Sequence, residues 1–286
     1  MTPRRALLLS ALVLCAALLR FWRINAQSLW FDEGIAWHVA TRPDLLAAIA
    51  ADPTNPPLYF LLLYASVRLA GDSEFAMRWL SVMIGLLAVP LSYQFARWLF
   101  NPATGVLAAL LVACSPPLWW ASQEIRMYGL MVVLALIAAL AWHRLLGRES
   151  RQAWLAVWLA ELGLLYSHST GPIFALWLNA ATLLAWLTRR NLRQPRWRTW
   201  LAGQIVVGLL WSPWFIARFV LLPAANQVVV SSPAFTPELL GRIWQSVWAG
   251  SWSMVGRSSE LKRSRLGDCP RRRPVCARRS ARQRCR

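Results

Sequence analysis

The feature that most limits this chain is a series of apolar runs, each near the ~20 residues that bridge the ~30 Å hydrocarbon core of a bilayer. They cover residues 6–22, 79–96, 106–120, 127–142, 153–166, 172–187 and 200–222. Hydrophobic residues make up 57% of the chain and charged residues only 15%. A soluble domain of this size needs more charge to cover its surface. The pattern therefore excludes a soluble globular enzyme. It predicts an all-α polytopic membrane protein with about seven transmembrane helices. The first run follows Arg4 and Arg5 as a signal peptide would. It ends in Leu19-Arg20-Phe21-Trp22 rather than a small-residue cleavage site, so it reads as a retained span.

An eighth apolar stretch, 57–70 (PLYFLLLYASVRLA), is short for a span and contains Arg68. The tendency of arginine-rich loops to stay in the cytoplasm decides its placement. If 57–70 lies along the membrane surface, the N-terminus, Arg97, loop 143–151 and loop 188–198 all face the cytoplasm. If it crosses, the two most basic loops must be translocated. The first arrangement is adopted, with 57–70 as an extracytoplasmic juxtamembrane helix half-buried in the interface. It puts the N-terminus in the cytoplasm and the polar motifs together outside. The expected location is the cell (plasma) membrane.

The net charge of +19 is uneven. Ten of those charges fall from Arg257 onward, in a tail that also holds Cys269, Cys276 and Cys285. A polybasic arm for anionic lipid or nucleic acid is one reading of it. A GC-rich gene read out of frame also yields Arg, Pro, Ala and Cys, and that reading is preferred. The expected organisation is thus 1–256 as an incomplete transmembrane domain and 257–286 as a disordered or frameshifted tail. No nucleic-acid partner is expected. Cys15 and Cys114 sit in apolar runs, where a free thiol behaves as a small hydrophobe.

Four outer motifs carry possible chemistry. Asp32 and Glu33 stand side by side between Trp30, Phe31 and Trp37, in a chain with only 12 acidic residues. Short surface helices are expected over 34–40 and 45–51, broken at Pro43. Asp32 could cap the first, where an anion gains ~0.3–1 kcal/mol. Capping explains one carboxylate, not two. Adjacent like charges repel and suit a general base, or a base with an orienting partner. Asn55-Pro56-Pro57-Leu58-Tyr59 starts the juxtamembrane helix, and Asn55 could cap it or hold a substrate oxygen. In Glu124-Ile125-Arg126-Met127-Tyr128, Arg126 could snorkel, pair with Glu124, or fork onto a phosphate. Tyr128 could add a hydroxyl. His168 in Tyr166-Ser167-His168-Ser169 is a lone histidine, for which a bland role is preferred. Glu161 falls inside an expected span and could pair with a neighbouring helix.

Taken in order, the acidic pair, x-Pro-Pro-Leu-Tyr, Gly71-Asp72-Ser73-Glu74-Phe75-Ala76-x-Arg78 and Ser122-Gln123-Glu124-x-Arg126-Met127-Tyr128 resemble the GT-C membrane glycosyltransferases. The nearest resemblance is to bacterial relatives of the dolichyl-phosphate-mannose–protein mannosyltransferases and the lipid A aminoarabinose transferase. It covers about residues 5–250. The resemblance implies transfer of a sugar from a polyprenyl-phosphate donor to an acceptor hydroxyl (of a glycan, lipid or protein) outside the cytoplasm. It implies Asp32 as the base of an inverting displacement and Glu33 as its assistant. It makes Arg126 the holder of the donor phosphate, with Asn55, Tyr128, Tyr59 and Glu124 as further contacts to the donor head. Arg78 could equally be a snorkelling anchor. Some relatives carry a cationic residue where this chain has Asn55, and family chains usually continue through more spans. Some use a divalent metal; no ligand cluster is seen here, and no cofactor is expected. The other readings are a transporter or lipid flippase, which needs a polar path through the membrane, and an inactive fragment of a glycosyltransferase.

Overall fold

The computed structural model describes residues 2–52, 55–188 and 195–221. Those residues form twelve α-helices and a terminal π-helical turn, with no strand among them. Helix α1 is Pro3–Phe21, opened by proline at its first turn. Three short helices follow: α2 (Phe31–Ala40), α3 (Leu45–Ala51) and α4 (Leu58–Ala70). Then come α5 (Glu74–Leu86), α6 (Ala88–Leu99), α7 (Pro102–Cys114) and α8 (Pro116–Gln123). Helices α9 (Tyr128–Gly147), α10 (Arg151–Leu165), α11 (Gly171–Thr188) and α12 (Trp197–Ile216) complete the described fold. The arginine-rich tail and the end of the last apolar run lie outside the described residues.

Helix ends obey local chemistry. Asp44 accepts from the Ala47 N–H at 2.8 Å and starts α3. Asn101 accepts from Ala103 and Thr104 at the start of α7, and Ser73 and Ser150 do the same for α5 and α10. Helix α4 stops at Gly71, whose φ of 85° suits glycine best. Pro213 inside α12 has no N–H for the Leu209 carbonyl, and the Ser212 hydroxyl donates to that oxygen instead, at 2.8 Å.

Four stretches are long and apolar enough to cross a membrane: Glu74–Leu99, Tyr128–Gly147, Gly171–Thr188 and Trp197–Leu221. Helices α7 and α8, bent by 54°, make a fifth if they count as one broken span. The sequence pattern suggested about seven. The difference lies in α1, which carries Arg4, Arg5 and Arg20, and α10, which has only 15 residues. The class stands: this is an all-helical polytopic membrane protein.

At 13 residues, α4 is shorter than the stretches long enough to cross a membrane. Its first residue, Leu58, donates its N–H to the carbonyl of Tyr166 at the close of α10 (2.9 Å). Three residues beyond its last turn, α5 begins, and Arg78 in α5 reaches the α2 residue Glu33. Both ends of α4 therefore meet the same end of the helix bundle. Its buried side chains, Tyr59, Phe60, Leu63 and Val67, join Ala36 and Val39 of α2, Ala48 of α3, and Met77, Ile125 and Met127 in one core. The arginine-rich loops gather at the other end. There Trp98 stacks on His143 at 6.1 Å and Arg196 pairs with Glu149 at 3.1 Å.

A buried guanidinium fixes the α7–α8 bend. Arg20 is fully buried and donates to the carbonyls of Val112 and Ala113 (both 3.1 Å) at the end of α7. It also donates to Ala16 O and to Ser122 Oγ. The charge thus sits where the α7 dipole is negative. Glu161 finds its partner on α12: Gln204 donates to its Oε2 at 2.7 Å. Gln204 in turn accepts from Asn179, which accepts from the Trp200 indole. This is the pairing with neighbouring helices that the sequence left open.

Close packing of α5 on α8 depends on Gly85. A Cβ there would overlap Ser122 Oγ and lie 3.0 Å from Ser122 Cβ. Ser122 cannot turn away, because its hydroxyl donates to Leu118 O while accepting from Arg20. Gly85→Ala should therefore lose about 1–3 kcal/mol of stability. Gly147→Ala meets nothing within 4 Å and should not destabilise. Thermal unfolding of both variants in one detergent measures the contrast.

Candidate functional site

After α1 the chain turns sharply at Arg23, whose φ is 56°. Trp30 then precedes α2 and makes no side-chain cap. Helix α2 starts at Phe31, three residues before the sequence pattern suggested, so Asp32 and Glu33 both lie in its first turn. Asp32 is not the cap residue, so it makes no side-chain cap, but its charge lies in the first turn, where the helix dipole favours an anion. At 3.6 residues per turn, neighbouring side chains diverge by ~100°. The two carboxylates therefore point to different partners.

Glu33 points inward and is 1% exposed. Arg78 forks onto it, with Nη2 to Oε2 at 2.7 Å and Nε to Oε1 at 3.2 Å. The Ile125 N–H also donates to Oε1, at 3.0 Å. Arg78 Nη1 donates to the carbonyls of Ile24 (2.7 Å) and Gln27 (2.8 Å). Arg78 is thus a buried tie, not a snorkelling anchor.

Asp32 points sideways and stays partly exposed. Its Oδ2 lies 3.6 Å from Arg126 Nη2, an ion pair too long to be a hydrogen bond. Arg126 is 7% exposed, and its Nε and Nη1 are buried without an acceptor. Leaving such donors empty costs roughly 1–3 kcal/mol each, more on a charged group. The cation faces a partly open carboxylate and keeps two donors that nothing among the described residues accepts.

Glu124 is buried beside them and accepts from the Trp30 indole N–H. Burial pushes its carboxyl up to about 7, against the opposing pull of the Trp30 hydrogen bond. Glu33 adds to the rise, while Arg78 and Arg126 oppose it. Tyr128 stacks on Trp120 at 5.8 Å and packs against His168 at 6.3 Å. Burial, then the nearby Arg126, holds the His168 ring below its ordinary pKa. Its Nδ1 accepts from the Thr170 N–H at 3.2 Å, so in the neutral ring the proton sits on Nε2.

Asp32, Glu33, Glu124, Arg126 and Tyr128 are brought to one end of the bundle. Tyr59 is there too, but it is fully buried, with its hydroxyl 2.7 Å from Ser81 Oγ. Asn55 is engaged elsewhere: its amide donates to Asp52 Oδ2 at 2.8 Å. Sequence reasoning undervalued Arg78, Trp30 and His168. Matching two outer acids against two outer arginines was the available signal for Arg78. Trp30 and His168 gave none beyond their position. Among the described residues, no three His, Cys, Asp or Glu side chains converge into a set able to hold a metal ion.

Residues 54–168 match the family model described as dolichyl-phosphate-mannose-protein mannosyltransferase. The match is a likeness to that family over 115 of the 286 residues. It supports a membrane glycosyltransferase in general terms, without naming donor, acceptor or base. Within the matched segment lie Arg78, Glu124, Arg126, Tyr128 and His168; Trp30, Asp32 and Glu33 precede it. Comparison with curated proteins and with solved structures found no match.

Two outcomes follow from these buried charges. Arg78→Met leaves Glu33 buried without its ion partner and should cost about 3–5 kcal/mol, with Glu33→Gln in the same chain restoring some of the loss. Thermal unfolding of the single and double variants tests this. Glu124, raised from its ordinary 4.5 to about 7, binds its proton more tightly when folded. Its contribution to stability is full below pH 4.5 and is lost as pH rises through 7. The melting temperature of Glu124→Gln should fall less than that of the parent protein between pH 5 and 8.

Proposed function

We propose that the chain transfers a sugar from a polyprenyl-phosphate donor to an acceptor hydroxyl at the outer face of the membrane. The observation that carries this reading is Arg126: buried, two of its donors empty, and beside the partly open carboxylate of Asp32. A lipid-linked phosphodiester must be met at the bilayer surface, because its tail stays in the hydrocarbon. Helix α4, which returns to the end of the bundle it started from, builds a floor at that level.

In this mechanism Asp32 removes the proton from the acceptor hydroxyl. The oxygen forms a bond to the anomeric carbon as the bond from that carbon to the phosphate oxygen breaks. The electron pair leaves with the phosphate, whose charge grows from one negative to two. Arg126 meets that growing charge with its free Nε and Nη1. Attacking and leaving oxygens lie on opposite faces of the anomeric carbon, so donor binding separates Asp32 from Arg126. Glu33 acts as a positioning residue, holding α2 and the Ile125 backbone in register. Tyr128 and the His168 ring border the phosphate, Glu124 orients Trp30 at the rim, and Tyr59 and Asn55 support the loop beneath.

The test is transfer from polyprenyl-phosphate sugar by the full chain reconstituted in liposomes. Asp32→Asn should lower kcat by roughly 10²–10⁴, the range of a lost general base, with the donor KM little changed. Arg126→Gln should raise the donor KM as well. Near-parental turnover by Asp32→Asn would remove the proposed base.

A further inference from the structure

The end of α2 remote from Asp32 forms a basic corner that the transfer reaction does not use. Ten residues of helix place Arg42 roughly 15 Å from Asp32. There the α2–α3 turn folds against the last turn of α4. Arg68 donates from Nη2 to the carbonyls of Arg42 and Pro43, the latter at 3.2 Å. It also reaches the Tyr64 hydroxyl at 3.2 Å and lies over the Tyr64 ring at 4.6 Å. The Arg42 Nη2 sits against His38 Nε2, and the Arg42 Nε is buried with no acceptor. Among the described residues, neither arginine has a carboxylate within 4 Å. The nearest acid in sequence, Asp44, spends its Oδ1 on the Ala47 N–H.

Arg68 is held on the Arg42 backbone and neither side chain meets an acid, so the corner calls for an outside anion. The surroundings say which kind. Leu45, Leu46 and Leu69 flank the corner and are 49%, 79% and 90% exposed. A soluble anion has no use for an apolar collar; a lipid places its phosphate on the arginines and its chains along the leucines. We propose that the Arg42–Arg68 corner binds the headgroup phosphate of an anionic membrane lipid and pins the α2–α4 layer to the bilayer surface. This rests on the membrane placement of the fold and is independent of the transfer chemistry.

The experiment uses the full chain, purified and delipidated in a neutral detergent. Binding of dioctanoyl phosphatidylglycerol, dioctanoyl phosphatidylcholine and inorganic phosphate is measured by native mass spectrometry and thermal shift. Each arginine at a lipid headgroup is worth about fivefold in affinity. Phosphatidylglycerol should therefore bind the parent protein at least tenfold more tightly than phosphatidylcholine. Arg42→Gln with Arg68→Gln should lose about 25-fold, while the double lysine variant keeps most of the affinity. Arg144→Gln with Arg148→Gln, at the other end of the bundle, should change nothing. Equal affinity for the two lipids in the parent protein overturns the proposal even if the glutamine variant fails to fold. So does an unchanged affinity in that variant, or displacement of the lipid by equimolar inorganic phosphate, which would make the corner a soluble-anion site.

Discussion

The buried pairing of Glu33 with Arg78 is the contact on which the rest of this end of the molecule depends. Removing both ions from water costs several kcal/mol each. The fork between them, the two carbonyls that accept from Arg78 and the Ile125 N–H on Glu33 together offset that cost. The geometry has a second consequence. Glu33 is the neighbour of Asp32, and Ile125 is the neighbour of Arg126. One carboxylate therefore grips the two chain segments that carry the partly open ion pair, and a loss of that grip moves both at once.

Arg20 has a comparable role deeper in the bundle. The α7–α8 bend leaves carbonyls without helical partners, and the guanidinium of α1 collects two of them. Ser122, which Arg20 also reaches, packs on Gly85 of α5. The bend thus delivers the turn 124–127 onto α2 and α5 rather than leaving it at the lipid boundary. Arg20 is satisfied mainly by backbone carbonyls and Arg78 by two of them beside Glu33, so this acid-poor chain buries cations largely on its own backbone.

Much of this was legible in the residues themselves. Apolar length marked the long helices, and the shortness of 57–70 set α4 apart from them. The acidic pair and Arg126 stood out because outer charge is scarce. What stayed hidden was pairing across distance. Glu33 and Arg78 are 45 positions apart, and no local pattern distinguishes a forked arginine from a snorkelling one. The partner of Glu161 stayed unnamed because Gln204 and Asn179 sit in apolar runs where a single amide reads as tolerated, not recruited. The start of α2 was missed because Trp30, an unusual cap, offers no capping signal.

The charge balance of the site turns on a single ion pair. Glu33 and Arg78 cancel. Glu124, with its carboxyl near 7, is only partly charged at neutral pH and accepts from Trp30 in either form. His168 is held toward its neutral form. What remains is one arginine and one partly solvated aspartate, 3.6 Å apart and not hydrogen-bonded. Under the proposed transfer, a phosphodiester brings one negative charge and takes up the empty donors of Arg126. Arg126 then turns from Asp32 to the phosphate, and the Asp32 carboxylate is left facing the acceptor hydroxyl. Donor binding and release of Asp32 from its ion pair would in that way be a single electrostatic event.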